Sequence, residues 1–175
     1  KKYIKKGDTL FLGLSGGQGS GKTTISKILK LIMKIFFKRD IHISSIDDFY
    51  KTLKERSKIS IKIHPLLKTR GVPGTHDAEL ILNFFKIIMK KKFKKIKLPK
   101  FEKAIDDRIK KKYWINVKYK PEIIILEGWC VGAKPQPNYL IKKPINILEK
   151  YEDKDLKWRE HVNAKLKNEY KKLFN

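Results

Sequence analysis

Short apolar runs alternate with amphipathic stretches along the chain, and this alternation gives the first indication of the fold. Residues 9–15 contain a dense apolar run that predicts a buried strand. Residues 41–46 alternate between apolar and polar side chains, as a half-buried strand does. Residues 123–126 are apolar on both faces, which is typical of a central strand in a parallel sheet. The pattern therefore predicts three firm strands.

Amphipathic helices are predicted over residues 22–38, 77–92 and 155–173, because apolar side chains recur there at helical spacing. The apolar face of the first helix consists of Ile25, Ile28, Leu29, Ile32, Ile35 and Phe36. Strands that alternate with helices in this way predict a three-layer α/β fold with a mostly parallel sheet.

The remaining segments are less regular. Residues 51–75 are predicted as a long connection, and a loop of that length in a compact domain is usually functional. Residues 96–101 are predicted as a short strand, whereas the basic residues 110–120 are ambiguous. We interpret the 175 residues as a single domain, which is long enough to enclose a hydrophobic core.

The charge is strongly positive, with 43 Lys and Arg against 18 Asp and Glu and a net charge of +25. Such a balance can indicate nucleic acid as a partner. However, only five of the basic residues are arginine, the residue that nucleic-acid surfaces favour for bidentate contacts and stacking. We therefore expect a lysine-coated enzyme with no nucleic-acid partner, and we expect the few retained arginines to mark sites that need a planar guanidinium.

The only cysteine, Cys130, excludes an internal disulfide and is typical of a reducing compartment. The sequence contains no apolar stretch long enough to span a membrane, so no membrane association is expected. These observations predict a cytoplasmic protein. They do not indicate its oligomeric state.

Residues 16–23 fit the phosphate-binding pattern G-x-x-x-x-G-K-[ST]. A predicted strand precedes the motif and a predicted helix follows it, which is the context in which this loop binds nucleotide phosphates through its backbone N–H groups and the helix N-terminus. Lys22 is expected to reach the β- and γ-phosphates, and the Thr23 hydroxyl to bind Mg²⁺. The expected nucleotide contacts are Gly16, Gly17, Gln18, Gly19, Ser20, Gly21, Lys22, Thr23 and Thr24.

Two carboxylates follow the other two firm strands. In a parallel α/β sheet the ligands gather at the carboxyl ends of the strands, where Asp47 and Glu127 are placed. Asp47 is predicted to be the catalytic base that accepts the proton of an attacking hydroxyl, with Lys22 as the second catalytic residue. Glu127 is predicted to hold Mg²⁺ together with Thr23.

Further motifs carry a family resemblance. Residues 13–16, 45–50 and 126–129 resemble the phosphoribulokinase, uridine kinase and pantothenate kinase group of P-loop kinases. Residues 64–77, 98–104 with 107–108, and 127–132, together with 148–149, 158–159 and 162–163, narrow the resemblance to the D-glycerate 3-kinase branch, over nearly the whole chain.

The resemblance implies an ATP- and Mg²⁺-dependent phosphotransferase that phosphorylates a hydroxyl of D-glycerate or a similar small molecule. It implies that Asp47, Arg70, Asp77 and Arg108 bind the acceptor. An arginine fork would suit the carboxylate of glycerate. The branch continues beyond these motifs with a further strand and a lid, so we expect the chain to lack C-terminal elements of that fold. Glu102 stands where the branch usually has aspartate.

Three alternatives stay open from the sequence. The acceptor could be pantothenate, a nucleoside or another small alcohol. The net charge of +25 is also compatible with an NTPase that acts with nucleic acid. Finally, the chain could bind nucleotide without catalysis, since a lid normally excludes water from the reaction.

Overall fold

A computed structural model describes residues 7–174 of the chain. Its strands are β1 (Leu10–Ser15), β2 (Ile41–Ser45), β3 (Ile96–Leu98), β4 (Phe101–Glu102), β5 (Asp107–Arg108), β6 (Ile115–Val117) and β7 (Ile123–Gly128). Its α-helices are α1 (Lys22–Phe37), α2 (Leu53–Lys62), α3 (Ala78–Met89), α4 (Asn138–Lys142), α5 (Ile147–Glu152), α6 (Lys157–Lys165) and α7 (Lys171–Phe174). Short 3₁₀ turns cover Ile46–Phe49, Pro65–Lys68 and Lys111–Tyr113, and a π-helical turn, Leu166–Tyr170, joins α6 to α7.

The central sheet has three parallel strands in the order β1-β7-β2, so the three strands predicted from the sequence form it. Ser15 pairs with Gly128, and Ser45 pairs with Glu127. All three strands therefore end at the same edge of the sheet. The loops that follow β1, β2 and β7 must leave from that edge together.

Side chains of the central strand alternate between two apolar layers. Ile124 and Leu126 of β7 pack with α3, the 166–170 turn and α7 in the main core. Ile123 and Ile125 pack on the opposite face with Ile41 and with Met33 of α1. This arrangement confirms the predicted three-layer α/β fold. It also explains why the run 123–126 is apolar at every position.

Helix α1 forms as predicted but does not turn its predicted apolar face to the sheet. It packs over β2 and β7, with Ser26 buried and Met33 at the edge of the core. The residues of the predicted face, which are Ile25, Ile28, Leu29, Ile32, Ile35 and Phe36, are exposed to between 38% and 74%. The helix is apolar around most of its circumference, so helical spacing alone did not reveal which side faces the sheet.

Three other segments differ from the prediction. The connection 51–75 contains helix α2, whose Thr52 and Glu55 form a reciprocal capping box. The predicted strand 96–101 divides at Pro99 into β3, which pairs with β6, and β4, which pairs with β5. The predicted helix 155–173 begins at Lys157 and contains the π-helical turn. None of the helices in residues 7–174 is both long and apolar enough to cross a membrane.

Apolar periodicity does not predict α2, because the side chain that this helix buries is that of Arg56. It is fully buried, and its guanidinium donates hydrogen bonds to the carbonyl oxygens of Lys51, Lys68 and Asp106. It also pairs with the Asp106 carboxylate at 3.1 Å. The buried face of α2 is therefore ionic, and the helix connects three loops through one side chain.

We predict that Arg56→Met lowers the free energy of unfolding by about 2–5 kcal/mol, because three carbonyl oxygens and one carboxylate lose their donor. Urea unfolding followed by circular dichroism measures this change. Arg39→Met is the matched control, since Arg39 forms an exposed pair with Glu122 and its loss should cost about 1 kcal/mol or less. Equal losses for the two variants would contradict the role given to Arg56.

Candidate active site

The loop between β1 and α1 has the geometry of an anion cradle. A Cβ atom added to Gly16 would lie 2.7 Å from the Ser20 hydroxyl, so glycine lets the loop close tightly at this position. The Lys22 ammonium donates a hydrogen bond of 2.6 Å to the carbonyl oxygen of Gly17, which folds the cation back over the loop. No side chain caps the N-terminus of α1. The free N–H groups and the helix dipole therefore favour a phosphate at this point.

Glu127 lies next to this loop. The Thr23 hydroxyl donates to the two carboxylate oxygens of Glu127, at 3.0 and 3.3 Å. Glu127 is buried at the end of β7. A hydroxyl and a carboxylate in contact beside a phosphate cradle are oxygen ligands of the kind that Mg²⁺ prefers. The structure thus brings together the two residues that the sequence predicts as magnesium ligands.

Asp47 is the second residue after the end of β2 and lies in the 3₁₀ turn Ile46–Phe49. Its N–H donates to the Ser45 hydroxyl, and its carboxylate pairs with the Lys103 ammonium at 3.1 Å. The neighbouring Asp48 accepts from the N–H of Phe101 and pairs with Lys100 at 3.3 Å. The 100–103 segment therefore faces both aspartates.

Gly128 allows the turn that carries Asp47 to approach β7. A Cβ at Gly128 would lie 2.3 Å from the side chain of Ile46, the residue directly before Asp47. This close approach, together with the pairing of Ser45 with Glu127, places Asp47 and Glu127 at the ends of neighbouring strands.

Tyr50 is a buried aromatic residue close to Asp47. Burial raises the pKa of the Tyr50 hydroxyl, and the charge of the nearby Asp47 carboxylate adds to this effect. The Tyr50 ring stacks on His76, with the ring centroids 4.2 Å apart. His76 Nδ1 contacts the hydroxyl of Tyr170, which lies in the π-helical turn. Burial lowers the pKa of His76 to about 3, so the imidazole is neutral at pH 7.

Arg70 and Arg108 are held by carboxylates. Arg70 pairs with Asp106 and lies over the Phe101 ring, with about a third of its side chain exposed. Although burial opposes it, hydrogen bonds from Arg70 and Arg56 hold the pKa of Asp106 below its usual value. Arg108 donates to the carbonyl oxygen of Tyr50 and pairs with Asp77 at 3.1 Å.

Asp77 has a second contact besides Arg108, because its carboxylate also caps α3 by accepting from the N–H of Leu80. The predicted acceptor residues Asp77 and Arg108 are thus in contact with each other. The Trp129 indole N–H donates to the carbonyl oxygen of Gly71, the residue after Arg70, and so links the loop after β7 to the loop that carries Arg70. These acceptor assignments stay predictions.

Lys100, Lys103, Asp106, Tyr50 and Arg56 were not assigned roles from the sequence. Lys100 and Lys103 lie within the stretch 98–104 that carries the resemblance, and Asp106 lies directly before Asp107 and Arg108, so these motifs were the signal that could have found them. The contact of Tyr50 with Asp47 follows from a helical turn that the sequence did not reveal.

His64 belongs to a different cluster. Its Nδ1 accepts from the N–H of Leu66, and its Nε2 lies 3.8 Å from the Asp153 carboxylate. Asp153 caps α6 through the N–H groups of Trp158 and Arg159, and it pairs with the Arg159 side chain at 2.8 Å. His64, Asp153 and Asp155 lie close enough together to hold a cation. However, Arg159 already pairs with Asp153, so the contacts of this cluster are structural.

The anion cradle at the end of β1 and the carboxylates at the ends of β2 and β7 define the P-loop kinase class of α/β proteins. The comparisons agree with this class. The chain is 34% identical over 150 residues to the chloroplastic D-glycerate 3-kinase of Arabidopsis thaliana, an alignment that covers 79% of this chain and 33% of the relative. It is 34% identical over 171 residues to a protein of Saccharomyces cerevisiae named as a probable ATP-dependent kinase, covering 90% of this chain and 54% of the relative.

A solved structure, the D-glycerate 3-kinase of Cryptococcus neoformans, superposes with a TM-score of 0.70 at 27% identity and covers 91% of this chain and 58% of its own. Other relatives are named pantothenate kinases. The sequence matches no protein-family model. The chain is therefore homologous to P-loop kinases that include D-glycerate 3-kinases, and it spans between a third and just over a half of the curated relatives given above. The resemblance and the fold expected from the sequence are confirmed.

We predict that the buried His76 makes the fold sensitive to acid. The folded state keeps His76 neutral down to about pH 3, whereas the unfolded chain takes up a proton near pH 6.5. Stability should therefore fall as the pH falls from 6.5 towards 3, by about 1.4 kcal/mol per pH unit from this residue. Two charged residues also act on the pKa of His76 in opposite directions, because Asp47 raises it and Lys51 lowers it.

Urea unfolding of the native chain and of His76→Gln at several pH values between 4.5 and 7 measures this contribution. The variant should lose that part of the pH slope. The shared contributions of other groups, including His42 and His161, whose pKa values burial also lowers, cancel in the difference. Parallel stability curves for the two proteins would contradict the prediction.

Proposed function

We propose that this chain is the catalytic core of an ATP-dependent kinase that phosphorylates a hydroxyl of D-glycerate or a closely similar hydroxy acid. The observation that carries the proposal is the hydrogen bond from Thr23 to Glu127, with Glu127 paired beside Ser45 at the strand end that leads into Asp47. An anion cradle, a pair of magnesium ligands and a carboxylate base then share one edge of the sheet. The homologous D-glycerate 3-kinases support the choice of acceptor.

Each residue of the proposed site has a separate role in phosphoryl transfer. The loop 16–23 and the N-terminus of α1 bind the β- and γ-phosphates, and Lys22 neutralises charge on the transferred group. Thr23 and Glu127 suit the Mg²⁺ that accompanies the nucleotide, which supplies further neutralisation. Asp47 accepts the proton of the acceptor hydroxyl, and the oxygen of that hydroxyl bonds to the γ-phosphorus. The bond from this phosphorus to the oxygen that bridges it to the β-phosphate breaks, and ADP leaves.

The cations near Asp47 favour an acceptor that carries negative charge. Lys103 contacts Asp47 while most of its side chain stays exposed, so it can also reach an acceptor at the base. Arg70 is partly exposed beside Phe101 and offers a guanidinium to a carboxylate. A small hydroxy acid would bring its carboxylate to these cations and its hydroxyl to Asp47.

Nucleic acid fits the structure less well than a small acceptor. Each of the five arginines pairs with a carboxylate of the chain itself: Arg39 with Glu122, Arg56 and Arg70 with Asp106, Arg108 with Asp77, and Arg159 with Asp153. The residues best suited to read or stack on bases are therefore engaged within the fold. The remaining positive charge is carried by lysines on the surface.

The acceptor is tested by coupled measurement of ADP release over a panel of D-glycerate, L-glycerate, pantothenate and uridine. We expect D-glycerate to give the highest kcat/KM. Faster turnover with pantothenate would overturn the glycerate assignment in favour of the second candidate, which the pantothenate kinases among the relatives support. ADP release that polynucleotide stimulates and no small alcohol increases would overturn the metabolite kinase altogether.

We predict that Asp47→Asn reduces kcat by at least a hundredfold, because general base catalysis contributes about 10²–10⁴. Nucleotide affinity, measured by titration with a fluorescent ATP analogue, should change little, since Asp47 lies on the acceptor side of the cradle. Asp155→Asn is the matched control, because Asp155 is an exposed aspartate paired with Lys157. An Asp47→Asn protein that keeps the native rate would show that another group takes the proton.

A further inference from the structure

Asp106 has a backbone conformation that residues other than glycine rarely adopt. Its φ is +52°, and among residues 7–174 only Lys38 and Leu156 share a positive φ without being glycine. Aspartate reaches this left-handed region more readily than most residues, but glycine occupies it with no steric cost. A conformation of this kind persists where the surrounding structure fixes it. The contacts of Asp106 show what fixes it here.

Two arginines hold Asp106. The Arg56 guanidinium donates to the carbonyl oxygen of Asp106 and pairs with carboxylate oxygen Oδ2 at 3.1 Å. The other carboxylate oxygen, Oδ1, accepts a hydrogen bond from Nη1 of Arg70. Arg56 is fully buried, so Asp106 ties Arg70 to a fixed point of the fold. Because two guanidinium groups share one carboxylate, a positive charge remains beside it for an anionic ligand.

The Arg70 guanidinium is held along one edge and open along the other. It lies over the Phe101 ring, with its Cζ atom 5.6 Å from the ring centroid. Within the part of the chain that the structure describes, Nη1 is the only nitrogen of the Arg70 side chain that forms a hydrogen bond. About a third of the side chain is exposed. Nε and Nη2 are therefore available, and together they form an edge that can bind a carboxylate through two parallel hydrogen bonds.

The turn that carries Asp106 also reaches the proposed base. The Asp106 N–H donates to the carbonyl oxygen of Lys103 at 3.4 Å, which closes the turn 103–106. The Lys103 ammonium pairs with the Asp47 carboxylate at 3.1 Å. One short turn thus contacts the base through its first residue and Arg70 through its last. This connection keeps the open edge of Arg70 in the neighbourhood of Asp47, although an arginine side chain is long and flexible.

We propose that Asp106 is a positioning residue for the phosphoryl acceptor. It holds Nη1 of Arg70, so that the Nε and Nη2 edge receives the carboxylate of the acceptor while the acceptor hydroxyl lies at Asp47. This role rests on the proposed kinase function and assigns the recognition of the acid group within it. A side chain that is ordered before binding loses less entropy when the acceptor binds. The arrangement therefore selects a small hydroxy acid over a neutral alcohol of the same size.

Asp106→Gly tests this proposal, because glycine adopts the same φ without strain and the substitution removes the carboxylate. The KM for D-glycerate, measured by coupled ADP release, should rise about tenfold or more, whereas kcat and the KM for ATP should change little. Asp106→Asn keeps a residue that tolerates the left-handed region but removes the charge, so it should give a smaller rise. D-Glyceramide, which has a neutral amide in place of the carboxylate, should give the same kcat/KM with the native chain and Asp106→Gly.

Two further variants separate positioning from a general effect on the fold. Because Asp106 acts through Arg70, Asp106→Gly should leave the KM for D-glycerate nearly unchanged when it is added to Arg70→Met. Lys38→Gly is the matched control for the backbone change. Lys38 has a φ of +51° and lies at the C-terminal end of α1, outside the acceptor region, so its substitution should leave the KM for D-glycerate unchanged.

Several results would overturn the role given to Asp106. Equal losses of kcat/KM for D-glycerate and D-glyceramide, or a full rise in KM in the Arg70→Met background, would leave Asp106 only the neutralisation of Arg56. An unchanged KM for D-glycerate in Asp106→Gly would overturn this role while the proposed function stands. Turnover of pantothenate instead of D-glycerate would overturn only the acceptor, and the same comparison then uses pantothenate, which also carries a carboxylate. Preference for uridine, which has none, would overturn both. Calorimetric titration with D-glycerate makes the comparison through Kd and does not depend on turnover.

Discussion

The parallel pairing of β7 between β1 and β2 is the constraint on which the proposed site depends. Because all three strands run in the same direction, their carboxyl ends meet at one edge, and the register sets Ser15 beside Gly128 and Ser45 beside Glu127. A shift of one residue would turn every side chain of β7 to the opposite face. Ile123–Leu126 are buried on both faces of the sheet, and the observed register brings Glu127, which follows them, to the Thr23 hydroxyl.

The second layer of the site is held by buried polar groups rather than by apolar packing. Arg56 links three loops, and its partner Asp106 also binds Arg70. Tyr50 connects Asp47 to His76, and His76 connects to Tyr170 in the π-helical turn. π-Helical turns often occur at functional sites, and here the turn places the Tyr170 hydroxyl against His76. Arginines are scarce in this sequence, and each of the five pairs with a carboxylate, although the pair of Arg39 with Glu122 is exposed.

Within residues 7–174 the sheet has a buried central strand, β7, and no strand pairs with the outer edge of β1. Its inner strand is fully buried, whereas β1 leaves Leu12 exposed and α1 leaves most of its apolar surface uncovered. Parallel sheets are normally covered on both faces, and among the described residues the side of the sheet at β1 is covered less completely than its centre.

The sequence by itself determined the three central strands, the helix after the phosphate loop, and the residues of the anion cradle. These features depend on local patterns: an apolar run, a glycine-rich motif and helical spacing. It did not predict α2, because the connection 51–75 has no apolar face at helical spacing. Asp47 and Glu127 could be paired in advance because parallel strands place their ends together.

Tertiary structure alone decided which side of α1 faces the sheet, since a helix that is apolar nearly all round carries no directional signal. It also decided the partners of the ionic residues. Arg56 reaches Asp106 across 50 residues and Lys103 reaches Asp47 across the active-site edge, and such contacts depend on chain reversals that no local pattern records. Local spacing specifies elements, whereas long-range charge pairing depends on where the folded chain brings those elements together.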